Sequence, residues 1–325
     1  MTVLRAVPIG VGHYLPKKII KNSYFETFLD TSDDWIKARS GIESRHFAED
    51  NELTSDLGFA AAKNALKHAS LNANDIDAII VATSTPDLTF PSTATKIQHK
   101  LGMTTGFAFD IQAVCAGFVF ALANANALII SGQAKRVMVI GAETFSRIMN
   151  WKDRSTCVLF GDGAGALILE AQEGVIDNQD RGIIATDLNS DGSLTDILYV
   201  DGGVSKNQHS GVLVMEGKEV YKHAVTKLAQ TAETVLKKAK IRNEEIDWVI
   251  PHQANLRIIK STSQKLGIDL SKVIVTVQNH GNTSAASIPL AISVAHKEKK
   301  LKKGDLLLTE AIGGGLAWGS VILRW

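Results

Sequence analysis

A chain of 325 residues, 45% of them hydrophobic, can bury a large core, which indicates one large domain or two packed ones. Its formal net charge of +1 shows no global basic bias toward nucleic acid and no acidic tail. Two cysteines cannot form a disulfide framework, and segment 1–16 lacks the pattern of a signal peptide, so the sequence predicts a cytoplasmic protein.

Helical and strand patterns alternate along the chain, which is typical of an α/β protein. In chain order the predicted elements are a helix at 54–69 capped by Thr54 or Ser55, a strand at 76–85, an uncharged helix within 110–135, strands at 136–144 and 155–171, a helix at 218–240, and strands at 246–252 and 305–315.

The uncharged segment, DIQAVCAGFVFALANANALIISGQAK, has no charged residue between Asp110 and Lys135. Twenty-four such residues are enough to cross a bilayer. Two glutamines, two asparagines, many small residues and no flanking aromatic belt favour instead a helix buried inside the protein. We therefore expect no membrane contact.

An internal repeat divides the chain. LNANDIDAII (71–80) aligns without gaps on IRNEEIDWVI (241–250), an offset of 170, and KLG occurs at 100–102 and again at 265–267. The shared order of elements predicts two homologous α/β halves packed face to face, over 1–172 and 173–325. A repeat this long is not a solenoid.

The repeat also predicts where three polar residues meet. Cys115 opens the small-residue helix of the first half, Asn282 opens the corresponding helix of the second, and His252 ends a repeated strand. Equivalent loops of two packed halves meet at the pseudo-dyad, so the three side chains are expected to converge.

Cys115 suits nucleophilic chemistry, because the N-terminus of a helix lowers the pKa of a thiol. Taken singly, each residue has a plainer interpretation: Cys115 as a buried apolar residue, His252 as a structural histidine, Asn282 as an N-cap. Cys157, inside a strand-like run, is predicted to be a core residue. The loop AIGGGLAWG (311–319) lets backbone N–H groups approach a ligand closely, as an oxyanion hole requires.

Two cofactor motifs are excluded. GDGAGA (161–166) matches a dinucleotide-binding pattern, but a strand rather than a helix follows it, and no Lys-Ser/Thr pair makes it a P-loop. No cysteine or histidine spacing indicates a metal site.

Several motifs together resemble the thiolase superfamily, specifically the β-ketoacyl-acyl carrier protein synthase III family. They are TSDDWIKARSGIESRH (31–46), FPSTATKIQ (90–98), DIQAVCAGFVFAL (110–122), FGDGAGA (160–166), VIPHQANLRI (249–258), HGNTSAASIP (280–289) and GGGLAWGS (313–320). The resemblance runs over almost the whole chain. It implies a thiolase-like fold, in which two homologous halves form a layered αβαβα structure around a buried nucleophile helix.

The resemblance also implies roles for individual residues. These are Cys115, His252 and Asn282 in catalysis; the backbone N–H groups of Cys115 and Gly314 as oxyanion hole; Trp35, Arg39 and Arg154 in binding coenzyme A; Phe90 at the dimer contact beside the partner's acyl pocket; and Lys222 and Arg257 in docking acyl carrier protein. It implies a homodimer that uses acyl-CoA and malonyl-acyl carrier protein, with no cofactor or metal.

Other functions stay open at this point. A related synthase with another acceptor, or one that makes polyketide, quinolone or hydroxymethylglutaryl precursors, shares the fold. A papain-like thiol hydrolase shares the order Cys, His, Asn but lacks the repeat. A non-catalytic carrier-protein-binding subunit would not need Cys115, His252 and Asn282. For Lys222 and Arg257, charge on a solvent-facing helix side is the simpler alternative.

Overall fold

A computed structural model describes residues 3–175 and 178–325. The strands are β1 (Val3–Tyr14), β2 (Lys18–Lys21), β3 (Ser44–Phe47), β4 (Ala78–Ala82), β5 (Phe107–Ile111), β6 (Arg136–Thr144), β7 (Asp162–Gly174), β8 (Gly182–Ser190), β9 (Leu198–Val200), β10 (Leu213–Met215), β11 (Trp248–Pro251), β12 (Leu306–Gly313) and β13 (Ala317–Arg324). The helices are α1 (Ser23–Glu26), α2 (Asp33–Ser40), α3 (Thr54–Ala69), α4 (Thr93–Lys100), α5 (Gly117–Ile130), α6 (Gly217–Ala239), α7 (Leu256–Leu266), α8 (Val277–His280) and α9 (Ser287–Lys297).

Two mixed sheets repeat one topology. The first has the strand order β1-β7-β6-β4-β5, and the second has the order β8-β13-β12-β11 when read in the same direction. In both, two antiparallel pairings are followed by a parallel one. The predicted pair of homologous α/β halves is confirmed.

Five layers stack from one face of the molecule to the other. Helices α3 and α4 cover the first sheet, α6 and α7 cover the second, and α5 and α9 lie between the two sheets. The central core joins residues of both halves, such as Val119 of α5, Ile288 of α9 and Val321 of β13. This is the predicted αβαβα arrangement.

The uncharged segment forms α5 in the central layer. Most of its apolar side chains are buried, because one sheet covers each face of the helix, while Ile130 at its end is exposed. Within residues 3–175 and 178–325, no helix is long and apolar enough to span a membrane.

The boundary predicted at 172/173 falls inside β7, which continues to Gly174. The halves also share structure across it. Ile20, Phe25 and Ile36, from the segment that precedes α3, pack in the core beneath the second sheet with Val235 and Leu306. The second half is therefore covered in part by the first.

Two local predictions are wrong. Helix α3 is capped by the Asp56 carboxylate, which accepts a hydrogen bond from Leu53 N at 2.9 Å, while Thr54 and Ser55 bond to other loops. The first residues of the predicted strand 155–171 form turns, because the Asp153 carboxylate accepts bonds from Ser155 and Thr156 and holds the backbone in a tight bend. Cys157 is fully buried there, as predicted.

At the pseudo-dyad, a turn of each half packs against a strand of the other half. The 3₁₀ turn Val114–Ala116, which leads into α5, packs against β12 of the second half. Its counterpart Ser284–Ala286, which leads into α9, packs against β6 of the first half. A Cβ atom on Gly141 of β6 would lie 2.2 Å from the Ala285 carbonyl oxygen, so this approach requires glycine.

Glu310 is a buried carboxyl on β12. It lies opposite Ser320 of β13, is 1% exposed, and its Oε2 atom has no hydrogen-bond partner among the described residues. Burial raises the pKa of Glu310 to about 8. The folded protein therefore holds a proton there that the unfolded chain has lost, and this difference reduces stability as pH rises from about 4.5 to about 8.

We expect Glu310→Gln to be more stable than wild type at pH 9 and nearly equal to it at pH 4.5. Across that window the difference in unfolding free energy should grow by at most about 1.4 kcal/mol per pH unit. Urea unfolding at a series of pH values measures it, with exposed Glu233→Gln on α6 as the control. A difference that stays constant with pH would contradict the buried neutral carboxyl.

Candidate active site

A cavity of about 560 Å³ opens between the two halves, and Cys115, His252 and Asn282 all line it. Each of the three is 5% exposed. The structure therefore brings together the three side chains that the repeat placed at the pseudo-dyad.

Cys115 lies in the turn that precedes α5. The residue before it, Val114, has a φ of +47°, a conformation that is strained for a β-branched residue. Its counterpart one repeat later, Ser284, has a φ of +48°. Both turns therefore reverse direction sharply at the same point of the repeat.

The thiol of Cys115 has a higher pKa than its position before a helix predicts. Burial raises its pKa to about 12, and the Glu143 carboxylate adds to this, while Ser284 acts in the opposite direction. The expectation of a lowered pKa at the helix N-terminus is therefore wrong, because the loss of hydration dominates. The thiol has to lose its proton as it attacks.

The end of β12 packs directly behind Cys115. A Cβ atom on Gly313 would lie 2.6 Å from the Cys115 backbone nitrogen, so no other residue fits there. Gly314, the predicted oxyanion-hole residue, is the next residue and lines a second cavity. Gly313 thus keeps the Cys115 N–H and the glycine loop close together.

His252 follows β11, and its backbone N–H donates to the Glu310 carbonyl oxygen at 2.8 Å. Its Nδ1 atom lies 2.7 Å from the Ser287 hydroxyl, which also accepts a bond from Gln253 N at 3.2 Å. We infer that the Ser287 hydroxyl donates to Nδ1, so that the proton of the neutral ring is on Nε2. Burial lowers the pKa of His252 to about 3, which keeps the ring neutral.

Asn282 is held by both its backbone and its side chain. Its N–H donates to the Leu159 carbonyl oxygen at 2.9 Å, and its own carbonyl accepts from Gly161 N at 3.0 Å, which forms a bridge to Phe160. Its Oδ1 atom accepts from Ser284 N at 2.9 Å. The amide NH₂ is therefore the free end of this side chain, and it offers a hydrogen-bond donor.

An aromatic–cation cluster lies at the mouth of the cavity. The Arg39 guanidinium lies 4.3 Å from the centre of the Trp35 ring, and that of Arg154 lies 5.0 Å from it. Arg154 is also paired with the Asp30 carboxylate at 3.2 Å. The structure thus brings the three residues predicted to bind coenzyme A into one cluster.

The charged residues that line the cavity are all basic among those the structure describes: Arg39, Lys218 and Arg257. Arg257 stacks over Tyr221, with 5.6 Å between guanidinium carbon and ring centre. Lys222 lies outside the cavity, and its side chain is 74% exposed. The mouth therefore suits an anionic ligand.

Phe90 is 82% exposed, on the loop between β4 and α4. It lines neither described cavity of its own chain, although residues just before it, including Thr85 and Leu88, line the second cavity. The acyl-pocket role predicted for Phe90 thus has no support within one chain.

Sequence reasoning missed Ser284, Ser287, Gly313 and Glu143. Ser284 and Ser287 lie in the quoted motif HGNTSAASIP, and only their contacts separate them from other small residues. Glu143 is the second-last residue of the buried strand β6, where an acidic residue is itself a signal, because carboxylates are seldom fully buried without a partner.

Comparison with known families gives matches in both halves. Residues 109–192 match the family model described as 3-oxoacyl-[acyl-carrier-protein (ACP)] synthase III, and residues 236–325 match the model of its C-terminal part. A protein of Dinoroseobacter shibae named beta-ketoacyl-[acyl-carrier-protein] synthase III is 66% identical over 321 residues, which is 99% of each chain.

Solved structures have the same fold. The 3-oxoacyl-[acyl-carrier-protein] synthase III of Aquifex aeolicus is 46% identical with a TM-score of 0.92, covering 98% of this chain and 100% of that one. The priming beta-ketosynthase of the R1128 polyketide biosynthetic pathway is 32% identical with a TM-score of 0.92, covering 99% and 96%.

We expect Ser287→Ala to release the tautomer of His252. In wild type, ¹⁵N spectra of histidine-labelled protein should show the His252 proton on Nε2 alone, because the Ser287 hydroxyl occupies Nδ1. The variant should show both tautomers. Ser293→Ala, which removes a serine of α9 that bonds to His13 instead, is the control and should leave His252 unchanged. A Ser287→Ala variant that keeps the Nε2–H tautomer alone would contradict the inferred hydrogen bond.

Proposed function

The chain belongs to the 3-oxoacyl-[acyl-carrier-protein] synthase III family, and on this premise we propose that it joins a short acyl-CoA primer to malonyl-acyl carrier protein. The products are a 3-oxoacyl-acyl carrier protein, coenzyme A and CO₂, in the condensation that initiates fatty-acid synthesis. The observation that carries the proposal is a cysteine thiol facing two neutral side-chain donors in one buried cavity.

In the first half-reaction, Cys115 attacks the thioester of the acyl-CoA primer. The sulfur–carbon bond to Cys115 forms, coenzyme A leaves, and the enzyme carries the acyl group into the second half-reaction. The negative oxygen of this step is stabilised by the backbone N–H groups of Cys115 and Gly314. Gly313 supports this arrangement by bringing the glycine loop against the Cys115 backbone.

In the second half-reaction, malonyl-carrier protein loses CO₂ and leaves an enolate on its thioester oxygen. His252 Nε2–H and the Asn282 amide donate hydrogen bonds to that oxygen, in a site where burial excludes competing water. The enolate carbon then attacks the acyl group on Cys115. Because CO₂ loss generates the carbon nucleophile, the reaction needs no metal or redox cofactor.

Coenzyme A binds at the cavity mouth through Trp35, Arg39 and Arg154. The adenine ring stacks well on indole and guanidinium planes, and the phosphates of coenzyme A suit the basic lining. The Arg154–Trp35 distance of 5.0 Å is too short for a ring between them. Binding of adenine between the two therefore displaces the Arg154 side chain.

Acyl carrier protein docks beside the same mouth. Arg257 and the exposed Lys222 lie on adjacent helices, α7 and α6, and offer positive charge to an acidic partner. The two cysteines are buried free thiols, which fits the reducing cytoplasm where we place the enzyme.

Acetyl-CoA is the primer that we propose. The main alternative is priming of a polyketide, since the R1128 priming enzyme shares the fold at the same TM-score. The much higher identity to the Dinoroseobacter shibae enzyme favours fatty-acid synthesis. A panel of acyl-CoA primers with malonyl-carrier protein, read by product mass, separates the two.

We also propose a homodimer. β5 is an edge strand of the first sheet, and it carries Phe107, which is 40% exposed, with Phe109 and Ile111 partly buried. An open apolar edge of this kind is suited to pairing with another strand. We place Phe90, which is 82% exposed in one chain, at this dimer contact beside the partner's acyl pocket.

We expect acetyl-CoA to add one acetyl group to the peptide that contains Cys115. Asn282→Ala should still become acetylated but should decarboxylate malonyl-carrier protein about 10²–10³-fold more slowly, because one enolate donor is lost. Mass spectrometry and CO₂ release measure the two steps, with exposed Asn279→Ala as the control. Acetyl on another residue, or full decarboxylation by Asn282→Ala, would refute these roles.

For the dimer, light scattering should give wild type a mass near twice 35.0 kDa. Phe107→Asp should give the single-chain mass, since it places a charge on the paired edge. Ile19→Asp, at an exposed apolar residue of β2, should remain dimeric. A monomeric wild type, or a dimeric Phe107→Asp, would contradict pairing through β5.

A further inference from the structure

A short segment of the first half, residues 158–161, holds the backbone of Asn282. The Asn282 N–H donates to the Leu159 carbonyl oxygen at 2.9 Å, and the Asn282 carbonyl accepts from Gly161 N at 3.0 Å. Apart from the bridge at Phe160, this segment belongs to no helix or strand. The direction of the Asn282 side chain therefore depends on what else fixes the segment.

The guanidinium of Arg45, on β3, is bonded to that segment. Its Nη2 donates to the Val158 carbonyl oxygen at 2.5 Å, and its Nη1 donates to Asn22 Oδ1 at 2.8 Å and to the Ile20 carbonyl oxygen at 3.2 Å. The Arg45 side chain is fully buried, and these three partners are uncharged. Burial lowers the pKa of Arg45 to about 10, so the group is still a cation at neutral pH. Burying a cation without an ion-pair partner is costly, which indicates that its hydrogen bonds serve a purpose that an apolar residue could not.

Asn22 fixes the other end of this guanidinium. It is 1% exposed, and its Nδ2 atom donates to Asp33 Oδ1 at 2.8 Å and to the Ile42 carbonyl oxygen at 2.8 Å. The Asn22 oxygen that accepts from Arg45 is therefore held in place by the segment before β3. Arg45 thus connects this segment to residues 158–161.

The Cβ atom of Arg45 also lies against two glycines of the bridge. A Cβ atom on Gly161 would lie 2.9 Å from it, and a Cβ atom on Gly281 would lie 3.0 Å from it. Gly281 has a φ of +64° and directly precedes Asn282. Arg45 therefore packs on both of the backbone segments that the bridge joins.

The other two catalytic side chains are held by different contacts. The Cys115 backbone packs on Gly313, and the His252 ring is bonded to the Ser287 hydroxyl. Neither contact involves Arg45. A change at Arg45 should therefore affect one of the three side chains and leave the other two in place.

We propose that Arg45 is a positioning residue for the Asn282 amide, and that it serves the decarboxylation of malonyl-carrier protein but not the acylation of Cys115. This inference rests on the proposed function, which makes Asn282 a donor to the enolate oxygen. Arg45 fixes the Val158 carbonyl, and the residues that follow fix the Asn282 backbone. A displacement of about 1 Å in such a donor is enough to lower a rate about 10²-fold.

Arg45→Lys tests the proposal, because an ammonium group keeps the charge but not the planar fork of donors. Acetylation of Cys115 by acetyl-CoA should keep its wild-type rate, while decarboxylation of malonyl-carrier protein should be about 10²-fold slower. Rapid-quench mass spectrometry and CO₂ release measure the two steps. Arg324→Lys is the matched control, because the Arg324 guanidinium also donates to backbone carbonyls, those of Asn178 and Gly304, and it should leave both rates unchanged.

The double variant Arg45→Lys/Asn282→Ala distinguishes positioning from general destabilisation. If Arg45 acts through the Asn282 amide, adding Arg45→Lys to Asn282→Ala should slow decarboxylation no further. Losses that multiply, or an equal loss of acetylation in Arg45→Lys alone, would overturn the proposal. Should Arg45→Lys fail to fold, Arg45→Gln, which keeps an NH₂ donor without the charge, takes its place with the same expected results.

Hydrogen exchange separates this inference from the proposed function, because it requires no substrate. In Arg45→Lys the backbone amides of Asn282 and Gly161 should exchange about tenfold faster than in wild type, since the bridge that they form opens more often. The amide of His252, which donates to the Glu310 carbonyl, should exchange as in wild type. Unchanged exchange at Asn282 would overturn the inference. A wild type that fails to decarboxylate malonyl-carrier protein, with exchange in the variant as expected, would count against the proposed function alone.

Discussion

Desolvation of the nucleophile is the constraint on which the rest of this structure depends. Cys115 lies between two sheets, and burial stabilises its protonated form. The same burial keeps His252 neutral, so no thiolate–imidazolium pair forms in advance. Charge appears in this site only while bonds are changing. Hydrogen-bond donors that are already in position then stabilise this charge. Their hydrogen bonds are stronger in a dry site than in water.

The pseudo-symmetry of the fold supplies those groups. Each half contributes a sharp turn before its central helix, and each turn packs on a strand of the other half. The two turns have the same backbone conformation but different side chains: Val114 and Cys115 in one, Ser284 and Ala285 in the other. One geometry, used twice, therefore places a nucleophile on one side of the pseudo-dyad and a hydroxyl on the other.

Much of this was predictable from the sequence. The bounds of α3 and β6 agree with the pattern residue for residue, because both are continuous elements with clear periodicity and distinct ends. The repeat also predicted that Cys115, His252 and Asn282 meet. The failures have physical causes: the Asp153 carboxylate turns a strand-like run into a bend, and Asp56 caps α3 from inside the helix. The pKa of Cys115 was predicted wrongly, because the position of a residue at a helix N-terminus does not show how deeply its side chain is buried. Ser287 carries no sequence pattern for its role, which arises from a contact with His252, 35 residues away in the chain.

The backbone bridge between Asn282 and Phe160 has a consequence for how substrates are selected. Asn282 belongs to the second half, yet its backbone is hydrogen-bonded to residues 159 and 161 of the first. The halves are thus joined by backbone hydrogen bonds at the reaction centre itself, and separating them there would break these bonds. A thioester reaches Cys115 only as a slender, flexible arm threaded past the side chains of the mouth, while its bulky head group stays outside. The width of the passage to Cys115, rather than closure of two domains, therefore limits which substrates this enzyme accepts.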